Sequence, residues 1–253
     1  MINRRIIGRL DVKSNFLIKG IRMEGWRKVG SPVEFAKKYY NSGIDELIFI
    51  DVVASLYERN NLSEIVSELA QEVFIPITAG GGIRNLSDVG ILLKAGADKI
   101  TLNTAAIRNP SIIQEISSTY GSQATVVAIE AKQNSDLKSW EPLTDNGRNH
   151  TNLDVIEWSK KAESLGAGEL LLTSIDKDGT RTGCDVKLLQ EVSSVVKIPV
   201  IGSGGIGSEK DALEIFKEAN VDALAIGTSF HYEEFTIQDL KNFLNNQGIS
   251  TRI

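Results

Sequence analysis

The sequence holds few of the side chains that bind metals or form disulfides. Its 253 residues include one cysteine, Cys184, and two histidines, His150 and His231. One cysteine excludes a disulfide within the chain, and two histidines so far apart in sequence argue against an imidazole metal site. We therefore predict that the protein uses neither a metal ion nor another cofactor.

The sequence also lacks the long apolar runs and the excess of positive charge that mark membrane and nucleic-acid-binding proteins. No apolar run approaches the roughly 20 residues that cross a bilayer. The first residues, MINRRIIGRL, do not have the pattern of a secretory signal. The formal net charge of −5 argues against a nucleic-acid or membrane-surface partner. The expected location is the cytoplasm.

Short apolar runs alternate with segments of helical period along the whole chain. Strands are predicted at residues 4–11, 45–51, 73–78, 98–102, 123–130, 169–174, 197–202 and 221–227. Helices are predicted near 31–42, 62–71, 86–95, 110–119, 152–165, 186–195, 208–219 and 236–246. This strict alternation predicts an α/β protein, a (β/α)8 TIM barrel forming a single domain over residues 1–253. A doubly wound open sheet is the alternative.

The second half of the sequence repeats features of the first. IPITAGGGI at 75–83 returns as IPVIGSGGI at 198–206, and SGIDEL at 42–47 returns as LGAGEL at 165–170. The offset is 123 residues in both cases, since 198 − 75 and 165 − 42 are equal. This repeat favours a barrel built from two half-barrels over the open sheet.

Two carboxylates stand at matching points of the two halves. Asp11 ends the first predicted strand, and Glu130 ends the apolar run VVAI of the fifth. Polar residues at the carboxyl ends of barrel strands are typical of an active site, so we predict that these two residues serve as a general base and a general acid. The alternative is a structural ion pair with Lys13, Lys19 or Lys132.

Glycine-rich loops follow four of the predicted strands. They are AGGGIRN at 79–85, LNTAAIRN at 102–109, SGGIGS at 203–208 and IGTSF at 226–230. Glycine lets backbone N–H groups approach an anion closely, so the two symmetric pairs of loops predict two phosphate sites. The residues assigned to these sites are Gly81, Gly82, Asn103 and Thr104 at one, and Gly204, Gly205, Gly227 and Thr228 at the other. The alternative is a set of tight turns with no ligand.

A further loop, LLLTSIDKDGT at 170–180, is expected to place Asp176 beside the same rim. We predict Asp176 as a substrate-binding residue. The DKDG stretch is also an ordinary turn sequence, so a purely structural role is the alternative.

Several stretches of the sequence together match one known family. They are LDVK at 10–13, KG at 19–20, FIPITAGGGIR at 74–84, GADKITLNTAAI at 96–107, GSQATVVAIEAK at 121–132, LGAGELLLTSIDKDGT at 165–180 and IPVIGSGG at 198–205. On these residues the chain resembles, nearly end to end, the cyclase subunit of imidazole glycerol phosphate synthase. They also separate it from the histidine-pathway isomerase built on the same half-barrel repeat.

The resemblance implies a partner and a reaction. In this family a glutaminase subunit releases ammonia, which passes through the barrel to the active site. There the ammonia attacks a bis-phosphorylated ribulosyl aminoimidazole intermediate, and cyclisation with cleavage gives imidazole glycerol phosphate and an aminoimidazole nucleotide. The resemblance makes Asp11 the general base, Glu130 the general acid and Lys19 the contact from a mobile loop.

The resemblance also implies a gate for ammonia at the other end of the barrel. Four charged residues fall at the amino-terminal ends of predicted strands and match the family's gate: Arg5, Glu46, Lys99 and Glu169. Asp98, beside them, matches the position that faces the glutaminase. Separate surface salt bridges are the alternative.

The sequence departs from the family at two positions of the mouth. Position 130 is usually aspartate, and position 9, usually a small cysteine, is Arg9. Arg9 lies two residues before Asp11, so it points to the same side of the strand, and we expect its guanidinium to pair with Asp11 or Glu130. An adjacent guanidinium is expected to lower the pKa of Glu130 and make it a poorer proton donor.

These departures keep three functions open. The first is the histidine-pathway cyclase. The second is a paralogue that channels ammonia to amidate a sugar in surface-polysaccharide synthesis. The chain resembles that branch in GRLDVK and in ASLYERNNL at 54–62, which overlaps the bulky loop VVASLYERNN at 52–61. The third is a barrel that only activates a glutaminase and has no chemistry of its own.

Overall fold

The protein is described from a computed structural model, in which residues 3–54 and 62–252 are described. Most of the loop VVASLYERNN, whose residues favoured the sugar-amidating branch, lies outside the described residues. Within the two described ranges, no helix has the length and apolar character needed to cross a membrane.

The described residues form eleven strands in one sheet. In chain order they are β1 Arg5–Lys13, β2 Phe16–Ile21, β3 Glu24–Gly30, β4 Glu46–Asp51, β5 Ile77–Gly80, β6 Lys99–Leu102, β7 Thr125–Asn134, β8 Ser139–Leu143, β9 Glu169–Ser174, β10 Val200–Ser203 and β11 Ala223–Ile226. All except β2, β3 and β8 are parallel, and β11 pairs with β1 to close a barrel. The predicted (β/α)8 barrel is confirmed, and the open sheet is excluded because both of its edges are paired.

Helices alternate with the parallel strands on the outside of the barrel. In the described part of the chain they are α1 Pro32–Asn41, α2 Leu62–Leu69, α3 Leu86–Lys94, α4 Thr104–Arg108, α5 Ser111–Tyr120, α6 Val155–Ser164, α7 Val186–Val195, α8 Glu209–Glu218, α9 Thr228–His231 and α10 Ile237–Asn246. Several begin at a capping side chain. Ser31 accepts from the N–H of Glu34, and Ser208 forms a capping box with Asp211.

Two strands begin later than the apolar pattern predicts. Strand β5 begins at Ile77 rather than at residue 73, and β10 begins at Val200 rather than at 197. Proline has no N–H to donate to a sheet, so Pro76 and Pro199 end the pairing on their amino-terminal side. Their carbonyl groups still accept bonds from the neighbouring strands.

Three strands at the carboxyl-terminal rim were not predicted. The β2–β3 hairpin pairs with the end of β1, and β8 pairs with the end of β7, both antiparallel. At the hairpin tip, the N–H of Arg22 donates to the carbonyl oxygen of Asp178 at 2.8 Å. The side chain of Met23 packs with Leu143 and Ile175. The hairpin therefore reaches across the mouth of the barrel to the loop after β9.

The interior of the barrel is arranged in layers along its axis. Charged side chains occupy the amino-terminal end, and polar side chains occupy the carboxyl-terminal mouth. Between them lies an apolar layer, which we call the apolar collar, formed by Ile7, Ile48, Val126, Ala128, Leu171, Ile201, Ala223 and Ala225. A separate, larger core lies between the sheet and the outer helices. The collar thus separates two charged regions along one axis.

Candidate active site

The amino-terminal end of the barrel carries a closed ring of four charges, which we call the charged ring. Arg5, Glu46, Lys99 and Glu169 are the first residues of β1, β4, β6 and β9. Arg5 pairs with Glu46 at 2.9 Å and with Glu169, and Lys99 pairs with the same two carboxylates at 3.1 and 3.0 Å. Each charge therefore has two partners of opposite sign, and the structure joins the four residues into one network across the barrel end.

Two exposed residues flank the charged ring on the same face. Asp98 directly precedes Lys99 and is exposed, although its carboxylate accepts the N–H of Ile77 at 2.8 Å. Phe74, in the segment before β5, exposes 76% of its surface. An apolar ring and a carboxylate are thus both open to solvent beside the charged ring.

At the opposite end, Asp11 is held between two cations. Its Oδ1 accepts from Nε of Arg9 at 2.9 Å, and its Oδ2 accepts from Nζ of Lys19 at 2.9 Å. Lys19 also donates to both oxygens of Asp178 at 3.0 Å. All four side chains are buried. Burial alone would raise the pKa of Asp11, but Arg9 and Lys19 outweigh it and hold that pKa far below its usual range.

Arg9 does not bond to Glu130, the other carboxylate expected to attract it. Its Nη1 instead donates to Oγ1 of Thr173 at 2.8 Å and to Oγ of Ser203 at 3.3 Å. Thr173 and Ser203 belong to β9 and β10, which lie three and two strands away from β1 around the barrel. The guanidinium therefore reaches across part of the barrel interior, just above the apolar collar.

Glu130 lies at the wall of a cavity in the mouth of the barrel. This cavity has a volume of about 300 Å³ and lies between the loops after β4, β5 and β6 and the end of β7. The backbone N–H of Gly147 donates to Oε2 of Glu130 at 2.8 Å. Asp11 does not line this cavity and borders a much smaller space under the hairpin. The two carboxylates thus face different surroundings.

Arg9 lowers the pKa of Glu130 as expected, but the prediction that Glu130 is therefore a poorer proton donor is wrong. Burial raises the pKa of Glu130 to about 7, although Arg9, the Asn103 amide and the Gly147 N–H each act to lower it. The cost of desolvating the carboxylate exceeds the gain from a guanidinium that has no direct bond to it. A carboxyl group with this pKa is about half protonated at neutral pH, so it can both give and take a proton.

The loops after β5 and β6 border the same cavity as Glu130. Gly81 and Gly82 have φ of 107° and 69°, and a Cβ at Gly81 would lie 2.3 Å from the carbonyl oxygen of Asp51. Glycine is therefore required there by backbone packing. Beside them, Oδ1 of Asn103 and Oγ1 of Thr101 are buried with no hydrogen-bond partner among the described residues. Buried polar atoms without partners are rare and point to an absent ligand or water.

Thr104 and two arginines complete that side of the cavity. Oγ1 of Thr104 accepts a hydrogen bond from the N–H of Asp145 at 2.9 Å, so this oxygen already has one partner within the protein. Arg84 and Arg108 line the cavity, and Arg108 pairs with Asp145 at 2.7 Å. The glycine pattern does not identify these arginines, although each lies within a predicted loop, in GGGIRN and in TAAIRN.

The loops after β10 and β11 face a smaller space. Gly204, Gly205, Gly227 and Thr228 lie together around a cavity of about 20 Å³, which Arg181 also lines. Oγ1 of Thr228 is buried and has no partner among residues 3–54 and 62–252. The two predicted glycine loop pairs are thus each assembled around a cavity, but the cavities differ greatly in volume.

Asp176 lies at the rim but lines none of the cavities described above. Its carboxylate accepts the N–H of Gln133 at 2.8 Å and joins the loop after β9 to the end of β7. Asp178, two residues later, reaches Lys19 instead. The sequence places two aspartates in one turn, IDKDG, and the pattern alone does not tell which of them points inwards.

The arrangement combines three elements on one axis: a closed charged ring, an apolar collar, and a mouth where Glu130 lies beside a cavity lined by glycine loops. A collar of this kind favours a small neutral molecule over an ion, because an ion loses its hydration there. The mouth suits a reaction that needs proton transfer near neutral pH on a molecule that carries negative charge.

Comparison with known proteins places the chain among histidine-pathway proteins. Residues 5–236 match the family described as histidine biosynthesis protein. The HisF subunit of imidazole glycerol phosphate synthase from Legionella pneumophila is 56% identical over 207 residues, which are 82% of this chain and 97% of that protein. The HisF subunit from Lactococcus lactis subsp. cremoris is 46% identical over 253 residues, covering 100% of this chain and 98% of the relative.

The similarity extends beyond bacteria of these two groups. The HisF subunit from Pyrococcus furiosus is 46% identical over 253 residues, and the match covers 100% of both chains. The family match includes the charged ring, both rim carboxylates and both pairs of glycine loops. The chain belongs to the histidine biosynthesis protein family and is similar over its full length to HisF subunits of imidazole glycerol phosphate synthase.

Proposed function

We propose that this chain is the ammonia-using cyclase subunit of an imidazole glycerol phosphate synthase. The observation that carries the proposal is the alignment of the charged ring, the apolar collar and the Glu130 cavity along one axis. Such an axis suits a reactant that enters at the amino-terminal end and reacts at the mouth. The relatives named as HisF subunits support the same reaction class.

The collar suits ammonia because neutral ammonia crosses apolar surroundings at low cost, whereas the ammonium ion does not. The charged ring closes the entrance below the collar with four ion pairs. Entry of ammonia therefore requires at least one side chain of the ring to move aside. Lys99 and Arg5 are the candidates, because their side chains are the more exposed members.

At the mouth, ammonia reacts with the carbonyl carbon of the bis-phosphorylated ribulosyl aminoimidazole. A C–N bond forms, and the carbonyl oxygen leaves as water with two hydrogens that ammonia supplies. Glu130 gives a proton to the oxygen and takes one from the nitrogen, so it ends the step as it began. The glycine loops hold the two phosphates and orient the carbonyl group towards the collar.

The direct test is turnover by the purified chain without its partner. With the bis-phosphorylated intermediate and a saturating ammonium salt, we expect formation of imidazole glycerol phosphate and the aminoimidazole nucleotide, measured by the absorbance change and by chromatography. At constant pH, the rate should rise with the concentration of free ammonia. Complete absence of both products at all pH values would contradict the proposal.

We predict two bound anions when the protein is crystallised with sulfate. One should contact the loops at Gly82 and Thr104, and the other the loops at Gly205 and Thr228, where Thr228 has a buried hydroxyl without a partner in the described chain. Electron density for sulfate at both places is the expected result. Density at neither would contradict the assignment of both phosphate sites.

The face around the charged ring is the proposed docking surface for a glutaminase subunit. Phe74 and Asp98 are exposed there, beside the entrance that the ammonia must use. A partner seated on this face would deliver ammonia directly onto the ring and shield it from protonation in water. We expect a one-to-one complex, since the barrel has one such end.

Phe74→Asp is expected to weaken this complex at least about 30-fold, because buried aromatic anchors at interfaces contribute about 2 kcal/mol or more. Binding to a purified glutaminase subunit from the same organism is measured by isothermal titration calorimetry. The matched control is Leu137→Asp, since Leu137 is also exposed, at 42%, but lies in the β7–β8 turn at the other end. Equal affinities of the two variants would contradict the proposed surface.

The unequal cavities favour a second candidate function. The space at Glu130 holds about 300 Å³ and the space at Gly205 about 20 Å³. An acceptor with a single phosphate, such as a sugar to be amidated, would need only the larger one. Sulfate at the Gly82 loop alone, together with no turnover of the bis-phosphorylated intermediate, would favour this candidate over the first.

A further inference from the structure

Arg9 occupies a central place that the proposed reaction does not yet use. Its side chain is 3% exposed and lies between the apolar collar and the mouth. It bonds to Asp11 on its own strand and to Thr173 and Ser203 on β9 and β10. A guanidinium remains charged at every pH that the fold tolerates, so these bonds place a permanent positive charge on the reaction axis.

Asp11 is fully engaged by this arrangement. One of its oxygens accepts from Arg9 and the other from Lys19. Lys19 is shared with Asp178, so the network holds two cations and two anions and is neutral as a whole. A carboxylate between two buried cations holds its negative charge strongly, and removing it would leave those cations uncompensated.

Glu130 has different neighbours. Towards it face the charges of Arg9 and Asp11 from β1, the Asn103 amide from the end of β6 and the Gly147 N–H from the loop after β8. Arg84 and Arg108 line the same cavity from the loops after β5 and β6. Glu130 accepts a hydrogen bond from a backbone amide and has no ion pair within the described residues.

We propose that Arg9 is a positioning residue that fixes Asp11 as a lasting anion beside Lys19 and leaves Glu130 as the carboxyl group that exchanges protons with the acceptor. This proposal rests on the proposed ammonia chemistry at the mouth. It assigns to one residue, Glu130, the acid and base steps that the resemblance divides between two carboxylates. Asp11 instead anchors Lys19 and, through it, the β2–β3 hairpin over the mouth.

The test compares three variants of Arg9 in the full-length protein. Arg9→Gln removes the charge but keeps a donor for Thr173, Arg9→Met removes both, and Arg9→Lys keeps the charge. The guanidinium favours ionised Glu130, so removing it raises the pKa of Glu130. Protonated Glu130 then persists to higher pH, and the limb of the pH–rate profile that reports its ionisation moves in the alkaline direction.

In the unmodified protein the midpoint of that limb is expected near pH 7. In Arg9→Gln and Arg9→Met the midpoint should lie at higher pH. Arg9→Lys should restore most of the original position. We also expect kcat to fall about 10- to 100-fold in the two neutral variants with a smaller change in KM, because misplaced groups slow the chemical step. A purely structural role would lower thermal stability or kcat without moving the limb, and an unmoved limb overturns the proposal.

A second readout needs no turnover and separates this proposal from the proposed function. Infrared difference spectra of protein with ¹³C-labelled glutamate, against Glu130→Gln, follow the protonated carboxyl band of Glu130 across the pH range. We expect a midpoint near 7 that rises in Arg9→Gln. If the unmodified protein does not turn over the intermediate, the proposed function fails, yet this titration still decides the role of Arg9. An unchanged midpoint in Arg9→Gln overturns it.

Discussion

Glu130→Gln is expected to lower ammonium-driven turnover about 100- to 10,000-fold, which is the usual cost of losing a positioned acid or base. Glutamine has nearly the same size, and its oxygen can still accept the N–H of Gly147 that Glu130 accepts at 2.8 Å. The loss would therefore come from the missing proton and not from a changed cavity. Steady-state rates with the bis-phosphorylated intermediate measure it.

The pH dependence sharpens this prediction. Burial raises the pKa of Glu130 to about 7, so the protonated form is lost as pH rises through that value. The ionisation near 7 should appear in the rate profile of the unmodified protein and be absent from that of Glu130→Gln. Glu130→Asp, the family's usual residue, serves as the acid-retaining control and should keep a titrating limb. A residual rate in Glu130→Gln within a factor of about three of the original, at the precision of such assays, would remove Glu130 from the mechanism.

Asp11→Asn is expected to lower turnover about 100-fold, because Arg9 and Lys19 lose the carboxylate that positions them, and should also destabilise the fold. The substitution leaves Arg9 and Lys19 buried without the carboxylate that both contact at 2.9 Å. Breaking a buried ion pair from one side typically costs about 3–5 kcal/mol. Steady-state kinetics and chemical denaturation measure the two effects.

The matched control for Asp11→Asn is Asp136→Asn, because Asp136 is exposed in the turn between β7 and β8. That variant should retain both the rate and the free energy of unfolding. The two possible roles of Asp11 differ in one observable. If Asp11 only anchors Lys19, the pH–rate profile of Asp11→Asn still shows the ionisation of Glu130. If Asp11 is the titrating base, the pH–rate profile of Asp11→Asn shows no ionisation.

The barrel was predictable because its signals are local and repeated. The strands are short apolar runs, helices such as α1 open with a capping side chain, and two segments of the first half return at an offset of 123 residues. The charged ring was predictable for a geometric reason. Parallel strands in a barrel begin at the same end, so charges at their first residues meet. The predicted starts of β5 and β10 are too early, because the apolar pattern begins before Pro76 and Pro199 whereas the hydrogen bonds of the sheet begin after them.

The mouth was less predictable because its contacts join residues far apart in the sequence. Arg9 bonds to Thr173 and Ser203, which are 164 and 194 residues away. Nothing in a local pattern identifies such partners. The prediction that Glu130 is a poorer proton donor was wrong because burial, which depends on the whole fold, outweighs the nearest charge. The contact of Asp178 with Lys19 was not predicted, because the turn IDKDG holds two aspartates. Which of them meets Lys19 depends on the position of the β2–β3 hairpin.

The charged ring also has a consequence for how the two half-barrels recognise each other. Residues before β7 contribute Arg5, Glu46 and Lys99, a net charge of +1, and the residues from β7 onwards contribute only Glu169, a charge of −1. Two copies of the second half would bring two glutamates together, and two copies of the first would bring four cations around two glutamates. Specific pairing needs a penalty on the wrong partner as well as a gain on the right one. In the barrel every charge of the ring has partners of opposite sign, whereas two copies of one half would bring an excess of like charges together. The unequal division of the charges therefore disfavours self-association of either half and favours pairing of the first half with the second.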